Sequence, residues 1–260
     1  MKNSPLLPTS EGPFRADQIR PGDPYELSNG HAIVCLPTGS RGARAISAGD
    51  SALRSDPAIP DVGVDAGFSP TPGILRAPDL AVGKLPDMPG WAPGVPPLAV
   101  EYADTGQDES QLAAKIQDFL GAGTRFVWVV RLTGPRRVEV HQAGQPMQLI
   151  QPGGTLEAPG ILANPVPVEA LYDPQVSAEV SFRNLLQRHG YPSLEAVKAQ
   201  GEAEGEAAAL RAAILDVFAA RELNVEADVQ TMIAGCEDSA LLRRWHRQAI
   251  TAVSSAELSP

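Results

Sequence analysis

Leu98-Ala99-Val100-Glu101-Tyr102 begins a segment that runs through a helix-spaced stretch to Phe126-Val127-Trp128-Val129-Val130. Apolar runs this short read as strands, and the second is apolar on both faces, as expected of a central strand covered on both sides. Between them Leu112, Ile116, Phe119 and Leu120 recur at helical spacing, with Asp108 at the N-cap and Gly121 and Gly123 at the end. Strand, helix, strand with short links is a βαβ crossover, which predicts a parallel, right-handed pair. Glu101 is the residue that does not fit. A carboxylate inside an apolar strand is costly to bury unless it is paired or binds a cation.

Working outward, Tyr25-Glu26-Leu27 and His31-Ala32-Ile33-Val34-Cys35-Leu36 flank Ser28-Asn29-Gly30. An Asn-Gly turn supplies the positive φ angles of a two-residue hairpin. A short helix is expected over 41–54, strands around 61–68 and 75–83, and a hairpin from Val138–His141 and Met147–Ile150. From 176 the pattern turns helical, over 177–188, 193–222, 226–235 and 239–252. Gly201-Glu202-Ala203-Glu204-Gly205-Glu206-Ala207 predicts a kinked or frayed connector, since each glycine costs about 1 kcal/mol against alanine. The expected organisation is a proline-rich lead-in over 1–24, an α/β domain over 25–175 and an α-helical region over 176–260.

Composition narrows the class. The 260 residues are 43% hydrophobic, enough for a packed core. There are 24 glycines and 25 prolines, well above the average share, and most precede residue 165, which separates a turn-rich part from the helical one. The net charge of −10 excludes a blanket basic coat for nucleic acid but allows an acidic cluster that collects metal ions. Cys35 and Cys236 have no metal-type spacing, and a reducing cytoplasm is their simplest setting. No apolar run reaches membrane-spanning length, and the start lacks a secretory signal.

Asp79 in Pro78-Asp79, Glu101 and Lys115 form the strongest chemical constellation. Two converging carboxylates with few histidines nearby suit Mg²⁺ or Mn²⁺ rather than zinc. Lys115 lies between Leu112 and Phe119 on the helix, so its ammonium can reach such a site and stabilise phosphate charge. The structural alternative has Asp79 capping a turn, Glu101 paired with an arginine and Lys115 reaching solvent. His141, His189 and His246 are scattered and read as surface or packing residues. Arg243-Arg244-Trp245-His246-Arg247 reads as a solvated face with Trp245 inward.

The ordered set of the Tyr25-Glu26-Leu27 hairpin with Gly30, Pro78-Asp79, Val100-Glu101, Lys115, Phe119-Leu120-Gly121-Ala122-Gly123 and Val127-Trp128-Val129-Val130 resembles the bacterial Uma-two family of candidate endonucleases. That family looks like a branch of the PD-(D/E)XK, restriction-endonuclease-like superfamily, and the resemblance spans roughly 20–173. It implies a mixed β-sheet core flanked by helices, with Asp79 and Glu101 as metal carboxylates. Where the superfamily usually has lysine two residues after the second acid, this chain has Ala103; Lys115 matches the family's substitute on the next helix. Glu26 matches a glutamate of the family's opening hairpin, which makes it an auxiliary ligand candidate. Three positions depart from the pattern: His31 (also an auxiliary candidate), Gly42 and Arg131 stand where glutamate, histidine and aspartate are usual.

The resulting expectation is a cytoplasmic, Mg²⁺- or Mn²⁺-dependent endodeoxyribonuclease with DNA as substrate and no membrane partner. Apolar positions Leu210, Ile214, Val217, Phe218, Leu241, Leu242 and Trp245 need burial, which points to a homodimer or larger through the C-terminal helices, or to packing on the core. The rival expectation is a non-catalytic assembly module retaining the nuclease-like fold.

Overall fold

The computed structural model describes residues 12–258, so Pro5 and Pro8 of the lead-in lie outside the described residues. The chain divides into two compact units, Met1–His189 and Gly190–Pro260.

The first unit opens with hairpin β1 (Tyr25–Ser28) and β2 (His31–Val34), closed by Asn29 at φ 49° and Gly30 at φ 78°, the left-handed pair that a two-residue turn requires. Helix α1 (Ser40–Arg54) follows, then β3 (Val62–Val64), β4 (Phe68–Ser69), β5 (Leu80–Val82), β6 (Ala92–Pro93) and β7 (Leu98–Ala103). Helix α2 (Glu109–Ala122) starts at Asp108, whose carboxylate accepts from the amides of Ser110 and Gln111, and ends at Gly123 with φ 111°. Strands β8 (Phe126–Arg131), β9 (Arg137–His141), β10 (Gln148–Ile150), β11 (Thr155–Leu156) and β12 (Val166–Pro167) complete the β structure, before α3 (Pro174–Arg188).

Six strands form the central mixed sheet in the order β10-β9-β8-β7-β5-β3. Only β7 and β8 run parallel, joined through α2; the other neighbours are antiparallel. Strand β7 is buried along its whole length, and its alternation assigns the layers. Leu98, Val100 and Tyr102 pack with Ala45, Ile46 and Leu53 of α1. Ala99 and Ala103 pack with Leu112, Ile116 and Phe119 of α2. Glu101 therefore points to the α2 side, where Lys115 waits.

The second unit contains α4 (Leu194–Ala220), α5 (Ala227–Gly235) and α6 (Ser239–Thr251) around its own core, which includes Ile214, Phe218, Ile233, Leu242 and Trp245. Leu210, Val217 and Leu241 pack against the same core, so the apolar stripe is covered within the unit.

Three local features differ from the sequence expectation. Residues 75–83 are not one strand: Pro78 lacks an amide and constrains its predecessor, so only Leu80–Val82 joins the sheet, while Leu75 and Arg76 make single bridges to Leu27 and Phe68. The 201–207 segment is uninterrupted helix. Gly201 and Gly205 are exposed there, between alanines and glutamates whose helix propensity outweighs the two glycines. The helix beginning near 176 belongs to the first unit. Ser177 Oγ donates to Ala48 O at 2.6 Å, Asn184 Nδ2 to Ser55 Oγ at 3.0 Å, and Arg188 caps carbonyls of Arg54, Ser55, Asp56 and Ile59.

Candidate active site

A cleft of about 700 Å³ opens between the hairpin, α1, the edge of β7 and α2. Its lining carries five carboxylates, those of Glu26, Asp50, Asp65, Asp79 and Glu101, against one cation, Lys115. That imbalance is local, and Glu26 and Glu101 are buried, so solvent does little to screen those two.

Each side chain is placed by its element. Asp79 immediately precedes β5, and its Oδ2 accepts from the Tyr102 amide at 2.6 Å, which ties the acid to the strand carrying Glu101. Glu101 reaches from β7 toward α2. Lys115 sits one turn after Leu112 and one before Phe119, so both apolar neighbours seat its stem. Its ammonium donates to Ala77 O at 2.7 Å and lies 3.0 Å from Glu26 Oε1 and 3.1 Å from Glu101 Oε1. Glu101 Oε1 is buried, and the Lys115 ammonium is the charge that faces it. Lys115 thus bonds inward rather than to solvent, and Glu101 faces a lysine rather than an arginine.

Electrostatics follow from burial. Desolvation pushes the Glu101 carboxyl up to about 8, against the pull of Lys115 and with the help of Asp79 and Glu26. Burial also raises Asp79, opposed by Lys115 and the Tyr102 amide. Burial alone would lower Lys115, but Glu101, Glu26 and Asp79 outweigh it and hold the ammonium well above its ordinary value. Lys115 is a fixed positive charge in this cleft, not a base.

Glu26 also belongs to a second network that sequence reasoning missed. Arg76, 2% exposed, donates to Glu26 Oε2 at 3.0 Å and grips Asp118 Oδ2 with Nε at 2.8 Å and Nη2 at 2.7 Å. Ser28 Oγ donates to the same Asp118 oxygen at 2.8 Å. One signal was available: Asp118 stands three residues after Lys115, on the same helical face. Arg76 gave none, because one arginine near the start of the expected 75–83 strand is ordinary for a position facing solvent.

His31 is not brought to the cleft; it is exposed at the start of β2. Gly42 is buried in α1, where a Cβ would lie 2.8 Å from the Thr38 methyl, so a larger residue needs Thr38 to move. Arg131 ends β8 paired to Glu109 at 2.6 Å and Glu139 at 2.9 Å, a closed ion pair of its own.

The donor set fits a hard cation. The acids that line the cleft offer only oxygen, and the one thiol, Cys35, is exposed. No group of three potential ligands clusters among the described residues. Mg²⁺ is commonly held by one or two carboxylates with water completing the shell, so two acids are enough.

Asp79, Glu101 and Lys115 thus line one cleft of the α/β unit, beside β5, β7 and α2. The chain belongs to the Uma2 family: the family model described as "Putative restriction endonuclease" matches residues 14–166. Among solved structures it is similar to a "putative nuclease belonging to DUF820" from Anabaena variabilis, 16% identical, with a TM-score of 0.49, covering 57% of this chain and 89% of the other. No curated protein matches. Among the described residues no helix is long and apolar enough to cross a membrane.

Proposed function

We propose that the chain is a divalent-metal-dependent endonuclease acting on DNA, with Asp79 and Glu101 as the metal carboxylates and Lys115 as the cationic partner. The observation that carries this reading is the pairing of Asp79 with the buried Glu101 in a cleft with five acids and one lysine, where the Lys115 ammonium meets Glu101 Oε1 at 3.1 Å. Burial holds the Glu101 carboxyl up to about 8, a penalty on its charged form that a bound divalent cation offsets. Asp79 and Glu101 would hold Mg²⁺ or Mn²⁺, with Glu26 as auxiliary; such an ion lowers the pKa of bound water and stabilises negative charge on a phosphoryl group.

The chain's own residues supply the rest. The Tyr102 amide fixes the Asp79 carboxylate. Arg76 and Asp118 brace Glu26, and Glu26 with Ala77 O aims the Lys115 ammonium into the cleft. Lys115, locked in its protonated form, offers positive charge to a phosphate in transition and orients water without taking its proton. Membership of a family of restriction-endonuclease type supports DNA as substrate.

Incubation of supercoiled plasmid with Mg²⁺, Mn²⁺ or EDTA tests the reading. Nicked or linear product with either metal and none with EDTA is expected; intact plasmid throughout favours the rival reading of a non-catalytic module, with which the inward-bonded Lys115 also accords. Cutting both strands of a duplex takes two sites, so a homodimer is retained as part of the proposal. Covering of the apolar stripe inside the second unit removes the packing argument for it. Light scattering with and without duplex DNA checks it; a monomer mass in both states counts against it.

A further inference from the structure

An acidic protein that acts on DNA needs a place where the backbone is held by positive charge, and the acidic cleft is not that place. Most cations of the first unit are spent. Arg54 pairs with Asp50 and Asp61, Arg76 with Glu26 and Asp118, and Arg131 with Glu109 and Glu139. Arg188 and Arg125 donate to backbone carbonyls.

A second concavity, of about 670 Å³, lies at the start of α1 and is lined by Arg41, Arg44, Arg136 and Tyr172, together with the entry to α3. Arg44 and Arg136 are exposed and have no carboxylate partner among the described residues. Arg136 is poised 4.6 Å over the Tyr172 ring, which holds the guanidinium by its face and leaves its edge N–H groups for an acceptor. Arg41 is tethered through Nε and Nη2 to Asp104 and Thr105, just past the end of β7, so Nη1 is unspent. The acids nearby are engaged: Asp104 with Arg41, Glu169 by accepting from Gly153 N at 2.6 Å, and Asp173 as the N-cap of α3, accepting from Gln175 N at 2.9 Å.

The concavity adjoins the acidic cleft along one helix. Arg44 is three residues, about one 5 Å turn, before Ser47, which lines the cleft. A strand whose phosphate sits among the arginines can therefore run over α1 into the acids.

We propose that Arg41, Arg44, Arg136 and Tyr172 form a backbone-phosphate subsite that seats DNA beside the acidic cleft, with Arg44 and Arg136 making the phosphate contacts. This rests on the nuclease reading for its substrate, but it concerns binding and can be tested without cleavage.

The test is fluorescence anisotropy of a labelled duplex with the full-length chain, in EDTA, over a series of salt concentrations. For Arg44→Ala/Arg136→Ala we expect affinity to fall about tenfold and the slope of log affinity against log salt to shallow by about 1.8, two phosphate contacts' worth. Arg44→Lys/Arg136→Lys, which keeps the charge, should restore most of the slope. Both positions are exposed, so an unchanged melting temperature confirms that the variants are folded. An unaltered slope in the alanine variant, or no binding by the wild type at low salt, overturns the proposal. Cleavage by the wild type together with an unaltered slope would overturn the subsite alone. A lost slope in a protein that cuts nothing would uphold the subsite and sink the hydrolytic reading.

Discussion

Glu101 holds its carboxyl up to about 8 because burial disfavours the charge more than Lys115 rescues it. The folded state then binds a proton that the unfolded state, near its ordinary 4.5, has lost. Stability is greatest below that lower value and falls as pH rises from about 4.5 to 8. In EDTA, Glu101→Gln should flatten this part of the profile and be more stable than the wild type at pH 9, as urea unfolding at several pH values will show; parallel profiles would contradict it. Lys115→Met removes the cation facing both Glu26 and Glu101 and should cost about 3 kcal/mol in the same measurement. A loss under 1 kcal/mol would mean the ion pairs are idle. Glu101 was legible in the sequence because an acid inside an apolar run is anomalous. Lys115 was legible from its place between Leu112 and Phe119. Arg76 was not, since a single arginine at the start of an expected strand is ordinary until the fold brings it within 2.8 Å of Asp118, whose one signal is its place three residues after Lys115.

At the scale of elements, the βαβ crossover was readable because cap, period and terminating glycine all agree, and β7-α2-β8 bears each of them out. The expected strand over 75–83 shortens to Leu80–Val82, because the apolar content before Pro78 cannot join the ladder across it. What seats α1 against β7 is invisible in sequence: Gly49 faces Tyr102, and a Cβ there would lie 1.9 Å from the Tyr102 hydroxyl. That hydroxyl donates to Leu171 O at 2.9 Å, and the Tyr102 amide holds Asp79. Gly49→Ala should therefore cost about 1–3 kcal/mol and disturb the acidic site. Tyr102→Phe removes the clashing oxygen, so the double variant should be less destabilised than the sum of the singles by about 1 kcal/mol or more. Additive losses in a denaturation cycle would show that the two helical and strand positions do not touch.

For the whole molecule, composition marked the change from turn-rich to helical chain, yet the contact boundary falls after α3 rather than before it. The reason is chemical: Ser177, Asn184 and Arg188 bond to α1, which sequence periodicity does not reveal. A chain ending at His189 should keep the cooperative unfolding of the first unit. One ending at Gln175 should melt about 10 °C lower, from the loss of roughly 3 kcal/mol of buried bonds and packing. Equal melting temperatures for the two truncations would contradict the placement of α3. The nuclease reading itself is met most directly by single-turnover cleavage of saturating duplex DNA in Mg²⁺, comparing the wild type with Asp79→Ala and Glu101→Gln. The wild type should cut, and each variant should be slower by about a thousandfold or more while remaining folded. Cleavage undiminished by either substitution, or none by the wild type in Mg²⁺ or Mn²⁺, would contradict it.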